Sequence, residues 1–291
     1  MPELTTSNLV VVAGKGGVGK TTVTAVLARA AVDAGRRVLV IELDGKPTLD
    51  DWLPDVEVRH ISAASSLEEY LLDHGFRRIA KRLTKSGVIE VIGTAAPGID
   101  DLVVLGKIKQ LERSGDYDLI VVDGPAAGHA VTFLTTPAGL RDAVRGGPVG
   151  EQADDVLEML ADPERCSIVL ATLPESTPVN ELIETADAIR ERVGAHLAGV
   201  VINQVDRGPL PPDPTAVELA GAAARAREAK AAAEFRRARI DDQATELARV
   251  HDTFDRVVTL PRLPVANLTA DHITRLSRTV SDTSHDGGGE P

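Results

Sequence analysis

The segment VVAGKGGVGKTT, Val11 to Thr22, constrains this chain more than any other part of it. It fills the pattern G-x-x-x-x-G-K-[ST] with Gly14, Gly19, Lys20 and Thr21. An apolar run, Leu9 to Ala13, precedes it, and a helical run, KTTVTAVLARAAVDAG, follows and stops at Gly35. A glycine-rich turn between strand and helix lets backbone N–H groups curl around a phosphate at the positive end of the helix. On that reading Gly14, Gly16, Gly17, Val18, Gly19, Lys20, Thr21 and Thr22 form a nucleotide cradle. Lys20 reaches the β and γ oxygens, and the Thr21 hydroxyl takes a place on Mg²⁺. A second lysine, Lys15, stands directly after the first glycine and is not needed to hold one nucleotide.

A strand and helix of this kind belong to an α/β fold, and the rest of the chain repeats the theme. Short β-branched runs at Arg37 to Leu43, Leu119 to Asp123, Ser167 to Thr172, Ala198 to Asn203 and Arg256 to Leu260 alternate with helical patterns. That alternation predicts a P-loop NTPase with a mostly parallel sheet wrapped by helices. Aromatic residues make up only 2% of the chain, so its core has to be built from Val, Leu, Ile and Ala. Residues of about 62–113 and 141–161 read as a small helical insert, 214–250 as a long half-exposed helix rich in Ala, Glu and Arg, and 282–291 as a disordered tail. The expectation is a single ATPase domain over 1–281.

Nucleotide sites also need a carboxylate for the metal at the end of a hydrophobic strand. YDLIVVDGPAAGH supplies Asp123, and Gly128 is placed to bring a backbone N–H to the γ-phosphate. VLVIELDGKP supplies Asp44 at the end of the second strand. Parallel sheets bind ligands at the carboxyl ends of their strands, so Asp44 is a candidate to orient attacking water. A simple D-G turn is the plainer account of the same residues.

Charge and composition exclude several classes. A net charge of −12 with interspersed Lys and Arg argues against a nucleic-acid groove. Cys166 is the only cysteine, so neither an internal disulfide nor a cysteine-held zinc can form within one chain, and it reads as a small buried residue. His129 reads as a packing or capping residue. The amino terminus lacks a signal-peptide pattern and no apolar run approaches the roughly 18 residues of a membrane span, which predicts a cytoplasmic protein.

Taken with its second lysine, GKGGVGKTT resembles the deviant Walker A motif of the MinD, ParA, nitrogenase-iron-protein and ArsA group of ATPases. Within that group, DGPAAGHAVTFLTTP resembles the second switch of the ArsA and guided-entry (tail-anchored protein targeting) family. ATLPESTPVNELIETADAIRE, VVINQV and VVTLPRLP are similar to the family segments that follow, and GGPVGEQADDV is like the short actinobacterial members. The likeness runs from about Leu9 to Ser281. It implies a dimeric ATPase using ATP and Mg²⁺, with Lys15 acting in trans on the partner's nucleotide and Asp44 positioning water. It further implies Asp123 linked to the metal through water, and Asn203 and Pro261 against adenine. A protein client or membrane partner follows from the same resemblance.

Departures from the family pattern keep a second reading open. Where the family's first switch reads D-P-A, this chain has Asp44, Gly45 and Lys46, and a lysine there is able to pair with the carboxylate or the γ-phosphate. The chain then serves as a weakly hydrolysing partner subunit to a paralogous ATPase. The segment that carries a zinc clasp in eukaryotic targeting factors is cysteine-free here, and Met159 is the only internal methionine, against the Met-rich grooves that hold membrane helices. Leu71, Leu72, Phe76, Ile79, Leu83, Val103, Val104 and Ile108 are the candidates for a smaller groove, with burial against the sheet the favoured account.

Overall fold

Strand β1, Leu9–Gly14, is buried along its whole length, which suits the near-continuous apolar run LVVVAG to the middle of a sheet covered on both faces. In the computed structural model, which describes residues 3–43, 47–73, 98–144, 146–208 and 223–282, six further strands join it. They are β2 (Val38–Glu42), β3 (Glu57–His60), β4 (Leu119–Ala126), β5 (Cys166–Thr172), β6 (His196–Val205) and β7 (Val257–Pro261). Their order is β3-β2-β4-β1-β5-β6-β7, and every pairing is parallel. The sheet expected as mostly parallel is wholly so among the described residues.

Alternation along the strands divides the core in two. Leu9, Val11, Ile41, Val122 and Leu170 face one layer of helices. That layer holds α4 (Ile99–Ser114), α5 (Ala127–Ala143), α6 (Pro148–Ala161) and α7 (Ser176–Ala188). Val10, Val12, Val40, Val121 and Val169 face the other. There α1 (Lys20–Asp33) and α9 (Ala270–Asp282) carry Val26, Leu27, Ile273 and Leu276 into the sheet. Gly35 ends α1 with a positive φ of 82°, as its place after the helical run predicts.

Helix α4 is an integral part of its layer: Leu105 and Ile108 join the cluster that holds Leu39 and Ile120. Val103, Val104 and Ile108 are buried, whereas Leu72, on α3 (Ala63–Asp73), is exposed. Phe76, Ile79 and Leu83 lie outside the described residues. So do residues 214–222 of the expected long helix, which is described as α8 (Ala223–Thr253), and residues 283–291 of the tail. Strand β3 was not among the expected elements. It is a short edge strand whose Glu57 and Arg59 keep it polar, and charged edges of this kind block pairing with other sheets. Among the described residues no helix is long and apolar enough to cross a membrane.

Candidate functional site

The loop between β1 and α1 is held from three sides. Val18 is buried in the core beside Val10 and Val12, which anchors the loop's middle, while Gly16 and Gly17 are exposed at its rim. Gly14 lies so close to β5 that an added Cβ would sit 2.3 Å from the Ala171 carbonyl oxygen. Gly19 caps α1 with φ 89°, a left-handed conformation in which side chains are strained.

Asp123, in β4 next to β1, meets the start of α1. The Thr21 Oγ1 hydroxyl donates to its Oδ2 at 2.7 Å, and Thr24 Oγ1 donates to Oδ1 at 3.4 Å. Burial pushes the Asp123 carboxyl up from its ordinary range, the Thr21 hydroxyl and the Lys20 charge pull it back, and Glu42 adds a push upward. Glu42 is the register partner of Asp123 on β2. A hydroxyl and a carboxylate converging beside a phosphate loop are hard oxygen donors, the set that magnesium accepts. Among the described residues no cluster of three acidic, His or Cys side chains could hold a metal alone.

Lys15 faces elsewhere. Its Nζ lies 2.5 Å from Glu181 Oε1 on α7, with both side chains about one third exposed, at 34% and 38%. Thus Lys15 pairs with a carboxylate on α7, while the charge of Lys20 acts on Asp123.

On the other side, Thr22, Asn203, Gln204 and Pro261 line a cavity of about 350 Å³ with Arg262, Leu263 and Pro264. That is within the range of small-ligand sites. Asn203 is 4% exposed, and its Nδ2 donates to the Val18 carbonyl at 3.0 Å. Gly128 is the second residue of α5, so its N–H belongs to the unpaired first turn of a helix that starts directly from β4. Asp44, Gly45 and Lys46 lie outside the described residues. His129 is exposed on α5 and lines a separate cavity with Leu43 and Asp101. Cys166 is fully buried, and burial pushes its thiol up to about 12.

Three participants had no signature in the sequence reading. Thr24 stands three residues after Thr21 on one helical face, and that spacing was the available clue. Glu181 pairs with a residue 166 positions away. His60, at the end of β3, bridges Glu42 at 3.1 Å and Asp50 at 2.9 Å, and this carboxylate–imidazole–carboxylate chain ties the edge of the sheet to α2 (Thr48–Trp52).

Residues 7–146 match the family model described as anion-transporting ATPase. ATPase BagA of Mycobacterium tuberculosis is 30% identical over 218 residues, covering 66% of this chain and 64% of that protein. An arsenical pump-driving ATPase of Escherichia coli is 31% identical over 204 residues, covering 67% of this chain and 34% of the relative. The matched region thus spans less than two thirds of either relative's length.

Proposed function

We propose that this chain, similar over residues 7–146 to the anion-transporting ATPases, is an ATP-hydrolysing switch of the ArsA type that works as a pair of subunits and couples its nucleotide state to a protein client or membrane partner. The observation that carries the reading is the Thr21–Asp123 contact, which sets an oxygen pair beside a phosphate loop of the right sequence and surroundings.

In this reading the loop N–H groups and Lys20 hold the β and γ phosphates, while Thr22, Asn203 and Pro261 border the base. Thr21 and, through water, Asp123 would hold Mg²⁺, which when bound neutralises charge on the phosphate oxygens. Thr21 and Thr24 hold the Asp123 carboxylate in place, and Asp44 orients the water. Gly128 offers its N–H to the γ-phosphate. Lys15 leaves Glu181 and reaches the partner's nucleotide, where a cation offsets the charge that develops in phosphoryl transfer. The half-exposed pairing of Lys15 with Glu181 supports this division of labour.

The names of some relatives refer to arsenical pumps. A thiolate route to such a substrate does not suit this chain, whose one cysteine is buried with its thiol held protonated. A macromolecular client is therefore the proposal.

Light-scattering mass of the Asp44→Asn variant with and without Mg-ATP, together with phosphate release by the unaltered protein, tests the reading. A rise from 30.7 kDa to twice that value only with ATP, and release by the unaltered chain, are the expected results. A mass that never changes together with no phosphate release would overturn it. ATP binding without release would point to the partner-subunit alternative.

A further inference from the structure

We infer that Asn203 is a positioning residue for the phosphate loop, bracing it from behind whether or not a base is bound. This rests on the reading of the loop as the nucleotide cradle, and it gives Asn203 a task separate from bordering the base.

The brace begins with a local irregularity in β6. Ile202 pairs with Thr259 and Val205 with Pro261, so three steps along β6 match two along β7. A bulge of this kind re-aims side chains next to a site. Within it Gln204 adopts φ 56°, making it the only non-glycine residue of positive φ among those described. Such a conformation is strained for an ordinary residue and persists where the surroundings impose it. Here it brings the Gln204 N–H to Asn203 Oδ1 at 2.9 Å.

With its oxygen engaged by an N–H, the Asn203 amide presents its nitrogen to the loop, where Nδ2 donates to the Val18 carbonyl at 3.0 Å. Each amide atom thus meets its complement, which fixes the orientation of the group. Contact is tight on the loop side as well, because a Cβ added to Gly19 would lie 2.3 Å from Nδ2. Gly19 is therefore a glycine for two reasons: its left-handed backbone and the amide packed against it. With the Val18 side chain buried in the core and its carbonyl held by Asn203, the residue before Gly19 is fixed at both ends. The bond joins β6 to a loop 185 positions earlier in the chain and sits at the boundary between base cavity and phosphate cradle.

A ligand without a base separates the two roles of Asn203. Binding of inorganic tripolyphosphate, displaced by ATP, would be measured for the unaltered protein and for Asn203→Ala and Asn203→Ser. The brace predicts a loss of about tenfold in both variants, as expected for a buried hydrogen bond to a positioned loop. Deuterium exchange without ligand would be followed in the peptide covering the loop and the first turn of α1. It should speed up at least about fivefold in the variants, while peptides from α4 keep their rates. Unchanged tripolyphosphate affinity and unchanged exchange would overturn the brace and leave Asn203 a base contact only. Exchange that rises equally in α4 would also overturn it, by assigning Asn203 to general stability. Should the unaltered protein bind neither ATP nor tripolyphosphate, the proposed function fails, and the exchange measurement still decides the brace.

Discussion

Two kinds of polar contact surround the phosphate loop, and they differ in what they are built to withstand. On the inside, the part-buried contact of Thr21 with Asp123 and the buried contact of Asn203 with Val18 tie the loop and the start of α1 to strands β4 and β6. On the rim, Lys15 with Glu181 and His60 with Glu42 and Asp50 each include side chains that are one third exposed or more. Buried contacts fix geometry because leaving one unmade costs the desolvation of its groups. Half-exposed ion pairs are worth little to the fold, typically below about 1 kcal/mol, and so can be exchanged. Under the proposed function, the loop thus combines an inner surface for its own phosphates with an outer cation whose half-exposed contact is easily given up.

The largest expected effect falls on a rim residue. Lys15→Ala should lower the turnover of ATP by about a thousandfold, the lower range for a cationic finger in phosphoryl transfer, while hardly changing the melting temperature. Steady-state phosphate release and thermal melts check both halves. A matching loss of stability would break the contrast by making Lys15 a structural residue. Next comes the inner counterpart, the part-buried Asp123→Asn, with turnover lower by about a hundredfold. Its effect on the fold should run the opposite way. Burial raises the Asp123 carboxyl in the native chain, so the ionised form weighs against folding at neutral pH, and the neutral amide should raise the melting temperature without ligand. A lower melting temperature at pH 7 would contradict this assignment.

Glu181→Gln is the third and milder test. Freed from its partner in cis, Lys15 should reach a second subunit more readily, tightening ATP-dependent pairing by about threefold, consistent with a pair worth under about 1 kcal/mol. Sedimentation across a concentration series measures this. The effect should vanish when Lys15 is already alanine, and its survival there would separate Glu181 from the lysine.

The residues of the Thr21–Asp123 contact were legible in the sequence, because each grows from a local pattern. The loop reads from its glycines between strand and helix, and Asp123 from the apolar run YDLIVV before it. By contrast, the Lys15–Glu181 pair has no local signal, since it joins a loop to a helix after four intervening strands. Strand β3 was missed because it is four residues long, its burial is slight and only Val58 among them is apolar, too short a hydrophobic period to detect. Asn203 was found through family resemblance, yet its hold on Val18 depends on a bulge and a left-handed Gln204 that no residue pattern announces.

His60 offers the smallest effect and a test by pH. Its imidazole pKa is raised above 6.5, chiefly by the hydrogen bond to Glu42, with burial opposing and Asp50 adding to the rise. A raised pKa means that the folded chain holds the proton more tightly than the unfolded one. The bridge therefore contributes its full stability below about pH 6.5 and loses it as pH climbs through the raised native value. His60→Gln keeps hydrogen-bonding ability without the charge. Its melting temperature should fall short of the unaltered protein's at pH 6 by a degree or so, as expected for roughly half a kcal/mol in a chain of this size, and the gap should close by pH 9. Because His60 touches Glu42, and Glu42 is the register partner of Asp123, a gap that persists at pH 9 would mean that the bridge acts through shape and packing. The rim would then be as fixed as the interior, and the contrast between the two sides of the loop would fail at this point.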